Sequence, residues 1–397
     1  MLKLNLDMYL AAGVGAIVYW LGIWMVDKIK FFKKYCIPAP VVGGLVFALL
    51  NLILTSSNVM QITFDDTLEN FFMIAFFTTV GFTVSFPLLK KGVRSILIIL
   101  SLSIVMIFLQ NLLGGGIAAA FGLDPRLGVA AGSTALIGGP ATAAAFGSVM
   151  DNMGIKGGSI VGLSSAIFGL VMGSILGGPV ATRRIRQYKL RSTESTDEMA
   201  ATDTDDKTSG DSSTRFIQGF MWLSIAYGVG SVVSTWLTKI THITFPAYIG
   251  AMLVAVVIRN VLDAKHEEFP SEEIDTLGNM FLNLFLAMAM MSLKLWQLVD
   301  LALPLLTILA AEVILMFLFS YYVVFNLMGR NYNAAVQTAG FIGFAMGATS
   351  NAMANMQAVT REYGPAKEAY FVIPMVGGMF IDFFNATFIT LFLSWWA

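Results

Sequence analysis

The sequence has 397 residues, of which 57% are hydrophobic and only 12% are charged. Soluble domains carry about 25% charged residues, so most of this chain is predicted to lie in lipid. The net charge of −1 argues against a nucleic-acid binder, and the single cysteine, Cys36, excludes an internal disulfide framework. His242 and His266 lie in predicted loops, and no spaced cluster of His, Cys and carboxylates indicates a transition-metal site.

The chain contains ten apolar segments of roughly the length that a membrane-spanning helix needs, about 20 residues. They are Met8–Val26, Ile37–Thr55, Asn70–Leu89, Ser95–Phe121, Gly158–Thr182, Phe216–Leu237, Ile243–Leu262, Leu277–Leu293, Leu301–Met328 and Ala369–Trp395. The first segment is too long for the apolar region of a typical signal peptide, so we expect it to be retained. The sequence therefore predicts an all-α polytopic membrane protein.

Two glycine-rich stretches, near residues 127–150 and 333–360, interrupt this pattern. The first contains Gly132–Ala143 (GSTALIGGPATA), and the second contains Gly340–Met356 (GFIGFAMGATSNAMANM). Hydrocarbon offers no water, so non-helical backbone in a membrane must be buried in protein or line a wet cavity. We interpret both stretches as re-entrant hairpins, which enter the membrane and return, and we expect a functional site where they meet.

Charged loops predict the orientation. Basic residues cluster after the first, third and fifth spans, at Lys28, Lys30, Lys33, Lys34, Lys90, Lys91, Arg94, Arg183, Arg184, Arg186, Lys189 and Arg191, whereas the loop Ser56–Glu69 has no lysine or arginine. Because basic loops stay in the cytoplasm, both termini are predicted outside and the central loop inside. The first hairpin then enters from outside, and the second enters from inside.

The central loop divides the chain into residues 1–182 and 216–397. Its middle, Ser192–Thr214, is rich in Ser, Thr and Asp and has almost no apolar residues. Such a segment cannot bury a core, so residues 183–215 are predicted to form a disordered cytoplasmic linker.

The two halves resemble each other. Pro246-Ala247 follows Pro38-Ala39 by 208 residues, Ala339-Gly340 follows Ala131-Gly132 by the same distance, and so does Gly347 after Gly139. Each half has five predicted spans, so the second half would be inverted relative to the first. Inverted repeats with interrupted segments at matching positions are typical of secondary transporters.

Long motifs of this chain resemble the bacterial sodium/glutamate symporter family. They are FFKKYCIPAPVVGGL (31–45), LGNMFLNLFLAMAMMSLKLW (277–296), GATSNAMANMQAVTREYGP (347–365), IPMVG (373–377) and FIDFFNA (380–386). The resemblance implies sodium-driven uptake of L-glutamate, two inverted five-span repeats with re-entrant loops, a homodimer and a bacterial inner-membrane location. It implies no cofactor other than Na⁺ as the coupling ion. The first hairpin departs from the family pattern Gly-Gly-His-Gly-Thr-Gly, because Pro140, Ala141 and Ala143 replace its third, fourth and sixth residues.

The chemistry of glutamate, with two carboxylates and one ammonium, suits broken helices. The N-terminus of a half-helix offers unpaired N–H groups and a partial positive charge, so it can bind a carboxylate without a cationic side chain. Glycines let the backbone approach a ligand closely, and hydroxyls and amides add polar contacts. The candidate substrate-binding residues are Gly138, Gly139, Thr142, Gly347, Thr349, Ser350, Asn351 and Asn355.

Sodium prefers oxygen ligands, which carbonyls, hydroxyls and a carboxylate can supply. Asp382 is an ionisable residue inside a predicted span, which is a functional hypothesis by default. Asn385 follows three residues later, on the same helix face. Gln110 and Asn111, beside Gly114-Gly115-Gly116, are further sodium candidates, although they could also hydrogen-bond between helices.

Other functions stay open at this point. The altered first hairpin is compatible with a sodium- or proton-coupled carrier of another dicarboxylate or of a 2-hydroxycarboxylate. A channel would need a continuous polar pore, which two opposed hairpins do not favour. A membrane enzyme would need a nucleophile, a metal or an acid–base pair within the spans, and the sequence shows no such constellation.

Overall fold

The computed structural model describes residues 2–85, 93–192, 212–241, 246–295 and 301–396. In the first half, the elements are β1 (Leu2–Leu6), α1 (Met8–Lys28), α2 (Lys30–Lys34), α3 (Ala39–Ser56), β2 (Met60–Phe64), α4 (Thr67–Thr83), α5 (Val93–Ala120), α6 (Pro125–Ala131), α7 (Ser133–Leu136), α8 (Gly139–Asn152) and α9 (Gly158–Tyr188). The predicted all-α character is confirmed, apart from one short ribbon of two strands.

In the second half, the helices are α10 (Ser212–Thr241), α11 (Ala247–Lys265), α12 (Ser271–Met291), α13 (Ala302–Phe319), α14 (Phe325–Leu327), α15 (Tyr332–Ala345), α16 (Thr349–Tyr363), α17 (Lys367–Met375) and α18 (Ile381–Trp395). Two π-helical segments, Ser320–Val324 and Val376–Phe380, join α13 to α14 and α17 to α18. Such segments are frequent at functional sites, and the second one ends two residues before Asp382.

Nine helical segments within the described ranges are long and apolar enough to cross a membrane. They correspond to all of the predicted spans except Asn70–Leu89. In that place the structure has α4, which has 17 residues, and residues 86–92 lie outside the described ranges. The finding supports a multi-pass membrane protein.

Helical structure extends into both ends of the predicted linker, residues 183–215. Residues 193–211 lie outside the described ranges, but α9 continues to Tyr188 and α10 already begins at Ser212. Contacts of charged residues stabilise both extensions. The Arg184 guanidinium lies 3.5 Å from the Tyr321 ring centroid, and Arg215 Nε donates to Glu273 Oε1 at 2.9 Å. The helices therefore extend beyond their apolar segments because arginines at their ends contact aromatic or acidic residues of neighbouring helices.

The two strands were not predicted from the sequence. β1 and β2 pair in parallel, in register from Leu2 opposite Met60 to Leu6 opposite Phe64. The buried Asn51 amide on α3 fixes β2, because it donates to Ile62 O and accepts from Ile62 N, both at 3.1 Å. A five-residue strand gives only a short alternating pattern, which is hard to distinguish from the apolar helical segments next to it in the sequence.

The helices pack as two bundles. The scaffold bundle consists of α1, α3, α4, α10, α11 and α12. The core bundle consists of α5 to α9 and α13 to α18. Each half of the chain contributes its first three long helices to the scaffold bundle and its remainder to the core bundle, so both glycine-rich helix pairs, α6–α8 and α15–α16, lie in the core bundle.

Glycines set the spacing of the scaffold helices at matching places in the two halves. A Cβ at Gly22 of α1 would overlap Ala39 O, and one at Gly43 of α3 would overlap Val18 O. In the second half, a Cβ at Gly250 of α11 would overlap Gly230 O of α10. Small residues of this kind let membrane helices approach closely, and Gly230 follows Gly22 by 208 residues.

Replacing Gly22 with valine should lower thermal stability, because the new side chain would overlap backbone atoms of α3. Overpacking of this kind costs about 1–3 kcal/mol. Gly13→Val is the matched control on the same helix, since a Cβ at Gly13 meets nothing within 4 Å. The measurement is the unfolding temperature of the two variants in detergent, and equal temperatures would contradict this packing.

Candidate functional site

The first glycine-rich stretch folds as two helices that meet at a break. Asp124 caps the start of α6, where its side chain accepts from Arg126 N, and Pro125 occupies the first helical turn. The chain leaves α6 at Gly132, passes through α7 and begins α8 at Gly139. Gly139 has φ of +63°, a conformation that glycine adopts readily and other residues do not.

The second glycine-rich stretch has the same arrangement. Asn331 caps the start of α15 by accepting from Ala334 N at 2.8 Å. The chain breaks between Ala345 and Thr349, where α16 begins. The residues at the starts of α8 and α16, Gly138 and Ala348, give no side-chain cap. Both helices therefore begin with backbone N–H groups that have no side-chain partner, at the positive ends of their dipoles.

The two breaks touch each other. A Cβ built on Gly139 would lie 2.8 Å from the carbonyl oxygen of Gly347, which is closer than real Cβ contacts allow. Both residues are fully within the core bundle, and each lies at the start of, or just before, an uncapped helix. The contact thus brings two helix N-termini together, which is an arrangement that can bind an anion.

Adjacent amides of α5 bind the two breaks. Gln110 Nε2 donates to Ala345 O at 3.2 Å, at the end of α15. Asn111 Oδ1 accepts from Ser133 N at 3.1 Å, at the start of α7. Both side chains are completely buried. The interhelical hydrogen bonds that the sequence analysis considered are therefore present, and they reach both helix pairs.

Asn385 of α18 completes the support of the first break. Its Nδ2 donates to Ser133 O at 3.0 Å, so Asn111 and Asn385 together bind both backbone polar groups of Ser133. Asp382 lies one helical turn earlier and is partly buried. No hydrogen bond or ion pair reaches its carboxylate within the residues that the structure describes.

Buried oxygen atoms without partners lie at the first break and on side chains of α5 and α18 that bind the two breaks. In the described part of the chain, four buried side-chain oxygens here have no hydrogen bond: Gln110 Oε1, Ser133 Oγ, Thr134 Oγ1 and Asn385 Oδ1. A buried polar atom left without a partner costs about 1–3 kcal/mol. Neutral oxygens are suitable ligands for a hard cation, so this donor set fits sodium.

The predicted substrate residues divide into two groups. Gly138, Gly139, Thr142, Gly347, Thr349 and Ser350 lie at the two breaks or in the first turns of α8 and α16. Thr142 is 3% exposed, Ser350 is exposed, and Thr349 Oγ1 donates to Gly377 O at 2.9 Å. The structure therefore brings these six residues together around the Gly139–Gly347 contact.

The other two residues, Asn351 and Asn355, attach α16 to α9. Asn351 Nδ2 donates to Leu170 O at 2.7 Å, and Asn355 Nδ2 donates to Gly173 O at 2.9 Å. Their amide nitrogens are therefore engaged in helix packing. These two hydrogen bonds fix the axial position of the helix pair α15–α16 relative to α9.

Two cavities lie between the bundles. One, of about 300 Å³, is lined by the ends of α3 and α12 and by Asp66, Glu69 and Asp151. The other, of about 430 Å³, is lined by Arg259, Ser271, Asp275 and Gly378. A Cβ at Gly378 would lie 3.8 Å from Thr349 Oγ1, so the second cavity reaches the start of α16.

Arg259, which was not predicted from the sequence as a functional residue, lines this second cavity. Its guanidinium binds Asp263 at 3.1 Å and Ser271 Oγ at 2.9 Å, and it lies 4.5 Å from the Phe269 ring centroid. The signal was present, because Arg259 is a cation within the predicted span Ile243–Leu262, and such residues indicate function by default.

Gly139→Ala should abolish sodium-driven glutamate uptake, the activity that the family resemblance implies, because the new methyl group would separate the two breaks. Gly154→Ala is the matched control. Gly154 also has positive φ, at +86°, but a Cβ there meets nothing within 4 Å, so it bears only the backbone cost of about 1–2 kcal/mol. The measurement is glutamate uptake by each variant, normalised to the amount of protein in the membrane. Equal uptake by the two variants would contradict a role of the Gly139–Gly347 contact in transport.

Comparisons with known proteins identify the family to which this chain belongs. A family model described as Sodium/glutamate symporter matches residues 4–365. The chain is 38% identical to the Sodium/glutamate symporter of Escherichia coli strain K12 over 394 residues, which is 98% of each chain. It is 34% identical to the protein of that name from Haemophilus influenzae over 384 residues, or 95% of each chain. The protein is thus a secondary transporter and not an enzyme, and the chain belongs to the sodium/glutamate symporter family.

Proposed function

We propose that this protein moves glutamate, or a close acidic analogue, into the cell together with sodium, by alternating access in a bacterial inner membrane. The observation that carries the proposal is the contact between Gly139 and Gly347. It joins two uncapped helix N-termini, suited to an anion, beside buried oxygens suited to a cation. A site with both properties can bind the two solutes together.

The anionic groups of the substrate bind at the starts of α8 and α16. There, Gly138, Gly139 and Gly347 allow close approach of the backbone, and Thr142, Thr349 and Ser350 supply hydroxyls. Asn351 and Asn355 act differently, because their Nδ2 atoms hold α16 against α9. We therefore assign them to positioning of the second helix pair.

Sodium binds beside the first break. Gln110 and Asn385 each offer an amide oxygen without a hydrogen bond in the described residues, and Ser133 and Thr134 offer hydroxyls. Asn111 orients Ser133 through its own amide oxygen. We assign the carboxylate of Asp382, one turn before Asn385, to this sodium site, because an ionisable residue inside a span is a functional hypothesis by default.

The predicted inverted repeat is compatible with alternating access. Pro38 and Pro246 both precede the first residue of a scaffold helix, and Gly22 and Gly230 both mark a close helix contact. Three helices of each half build the scaffold bundle, and a broken helix pair of each half enters the core bundle. Opposed pairs that meet at their tips give two routes to one site. The homodimer that the resemblance implies stays a prediction.

Another dicarboxylate or a 2-hydroxycarboxylate is the second candidate substrate, and proton coupling is the second candidate mode, because the first hairpin departs from the family pattern at Pro140, Ala141 and Ala143. Uptake of labelled glutamate into proteoliposomes, with and without an inward sodium gradient, tests the proposal. We expect accumulation only with the gradient, and competition by acidic amino acids. Equal uptake driven by protons in sodium-free buffer, or stronger competition by a hydroxycarboxylate, would favour the second candidates.

Asp382→Asn should raise the sodium concentration for half-maximal uptake by about fivefold or more, since linked sites are coupled by about 1–3 kcal/mol. The substitution keeps the shape and removes the charge. The matched control is Glu312→Gln. Glu312 is another acidic residue in a span of the core bundle, and its side chain is completely buried. We expect the control to keep the native sodium dependence. An unchanged sodium dependence in Asp382→Asn would assign that carboxylate a structural role.

The proposed orientation predicts which loops face outward. In a background without Cys36, a cysteine replacing Asp66, in the exposed loop before α4, should react with an impermeant thiol reagent from outside. A cysteine replacing Glu267, in the exposed loop after α11, should react only from inside. Labelling of intact cells and inverted vesicles measures both, and the reverse pattern would overturn the orientation.

A further inference from the structure

A groove of about 590 Å³ lies on the surface of the core bundle, away from the candidate site. Its floor is formed by Gly178 and Pro179 in the last third of α9 and by Ala358 and Val359 near the end of α16. Most of this surface is apolar. Gly178 leaves the groove open, because a Cβ there meets nothing within 4 Å.

The rim of the groove carries uncompensated positive charge. Arg183 and Arg186 line it from α9, and Glu362 lines it from α16. Arg186 pairs with Glu362 at 3.5 Å, but their side chains are 70% and 57% exposed, so this pair contributes little. The structure shows no carboxylate partner for Arg183 in the described residues, only a contact of 5.7 Å with the Tyr321 ring centroid.

The length of α9 indicates where the groove lies along the membrane normal. The helix has 31 residues and is about 46 Å long, whereas the hydrocarbon core is about 30 Å thick. Gly178 follows the first residue of α9 by 20 positions, or about 30 Å. The groove therefore lies where α9 leaves the hydrocarbon, and with the orientation proposed above this is the cytoplasmic side.

We propose that the groove binds one anionic phospholipid of the inner leaflet. Its phosphate group lies between Arg183 and Arg186, and an acyl chain lies on the floor formed by Pro179, Ala358 and Val359. The charge selects the ligand: two arginines above an apolar floor, at headgroup depth, fit a phosphate joined to a hydrocarbon chain, and basic pockets of this kind recognise anionic headgroups. Only the choice of leaflet rests on the proposed function.

Glu362 acts as the competitor for the phosphate. It is the acidic group on the rim, and it already contacts Arg186. Removing its charge should free Arg186 for the lipid and should tighten binding. A groove that bound lipid through its apolar floor alone would not respond to this change.

Native mass spectrometry of the full-length protein, titrated with phosphatidylglycerol or phosphatidylcholine in detergent, tests the proposal. We expect one tightly bound phosphatidylglycerol and much weaker binding of phosphatidylcholine. Arg183→Gln should weaken phosphatidylglycerol binding by about fivefold, the usual contribution of one arginine at an anionic surface. Glu362→Gln should strengthen it.

Gly178→Phe tests the floor with all charges retained, because the ring would fill the open space above Gly178. Gly228→Phe on α10 is its matched control, since Gly228 is exposed and a Cβ there also meets nothing within 4 Å. We expect the tight phosphatidylglycerol site to be lost in Gly178→Phe and kept in Gly228→Phe. Thermal unfolding of each variant confirms that the fold is intact.

Two results would overturn the proposal. One is equal affinity of the native protein for the two lipids, and the other is a tight phosphatidylglycerol site that persists in both Gly178→Phe and Arg183→Gln. The lipid titration does not depend on transport. A protein that binds phosphatidylglycerol in this groove but takes up no glutamate would contradict the proposed function alone.

Discussion

The structure depends on one constraint, which is that a helix broken inside a membrane must still satisfy its backbone polar groups. No water is available there, and each unsatisfied group is costly. Asn111 and Asn385 bind the N–H and C=O groups of Ser133, and Gln110 binds the carbonyl of Ala345. Side chains of α5 and α18 thus stabilise both breaks, and the breaks can remain non-helical where they meet.

The same bonds determine which parts could move together. Asn351 and Asn355 attach α16 to α9, and Gln110 attaches α15 to α5, so the second helix pair belongs to the core bundle as a unit. In the scaffold bundle, glycines such as Gly22 bring neighbouring helices into backbone contact. The cavities lie between these two well-packed bundles. The proposed alternating access would therefore take the form of relative motion of these two bundles.

The sequence predicted the helix breaks and the residues around them because a stretch rich in glycine and polar residues is poorly suited to a lipid-facing helix. It could not predict the roles of Asn351 and Asn355, since their partners are carbonyls of α9 that only packing brings close. The extensions of α9 and α10 were missed for a similar reason: Arg184 and Arg215 are stabilised by aromatic and acidic residues distant in sequence. Arg259 could have been identified from its position within a span.

Equilibrium binding of labelled glutamate to the purified protein, at increasing sodium concentrations, tests most directly whether one site binds both solutes. Because coupling between two ligands is reciprocal, sodium should tighten glutamate binding, and glutamate should tighten sodium binding by the same factor. We expect a change of about 5- to 150-fold, and its loss in Thr134→Val, which keeps the side-chain shape and removes a hydroxyl oxygen that has no hydrogen bond in the described structure. Glutamate binding of equal affinity with and without sodium would contradict the account.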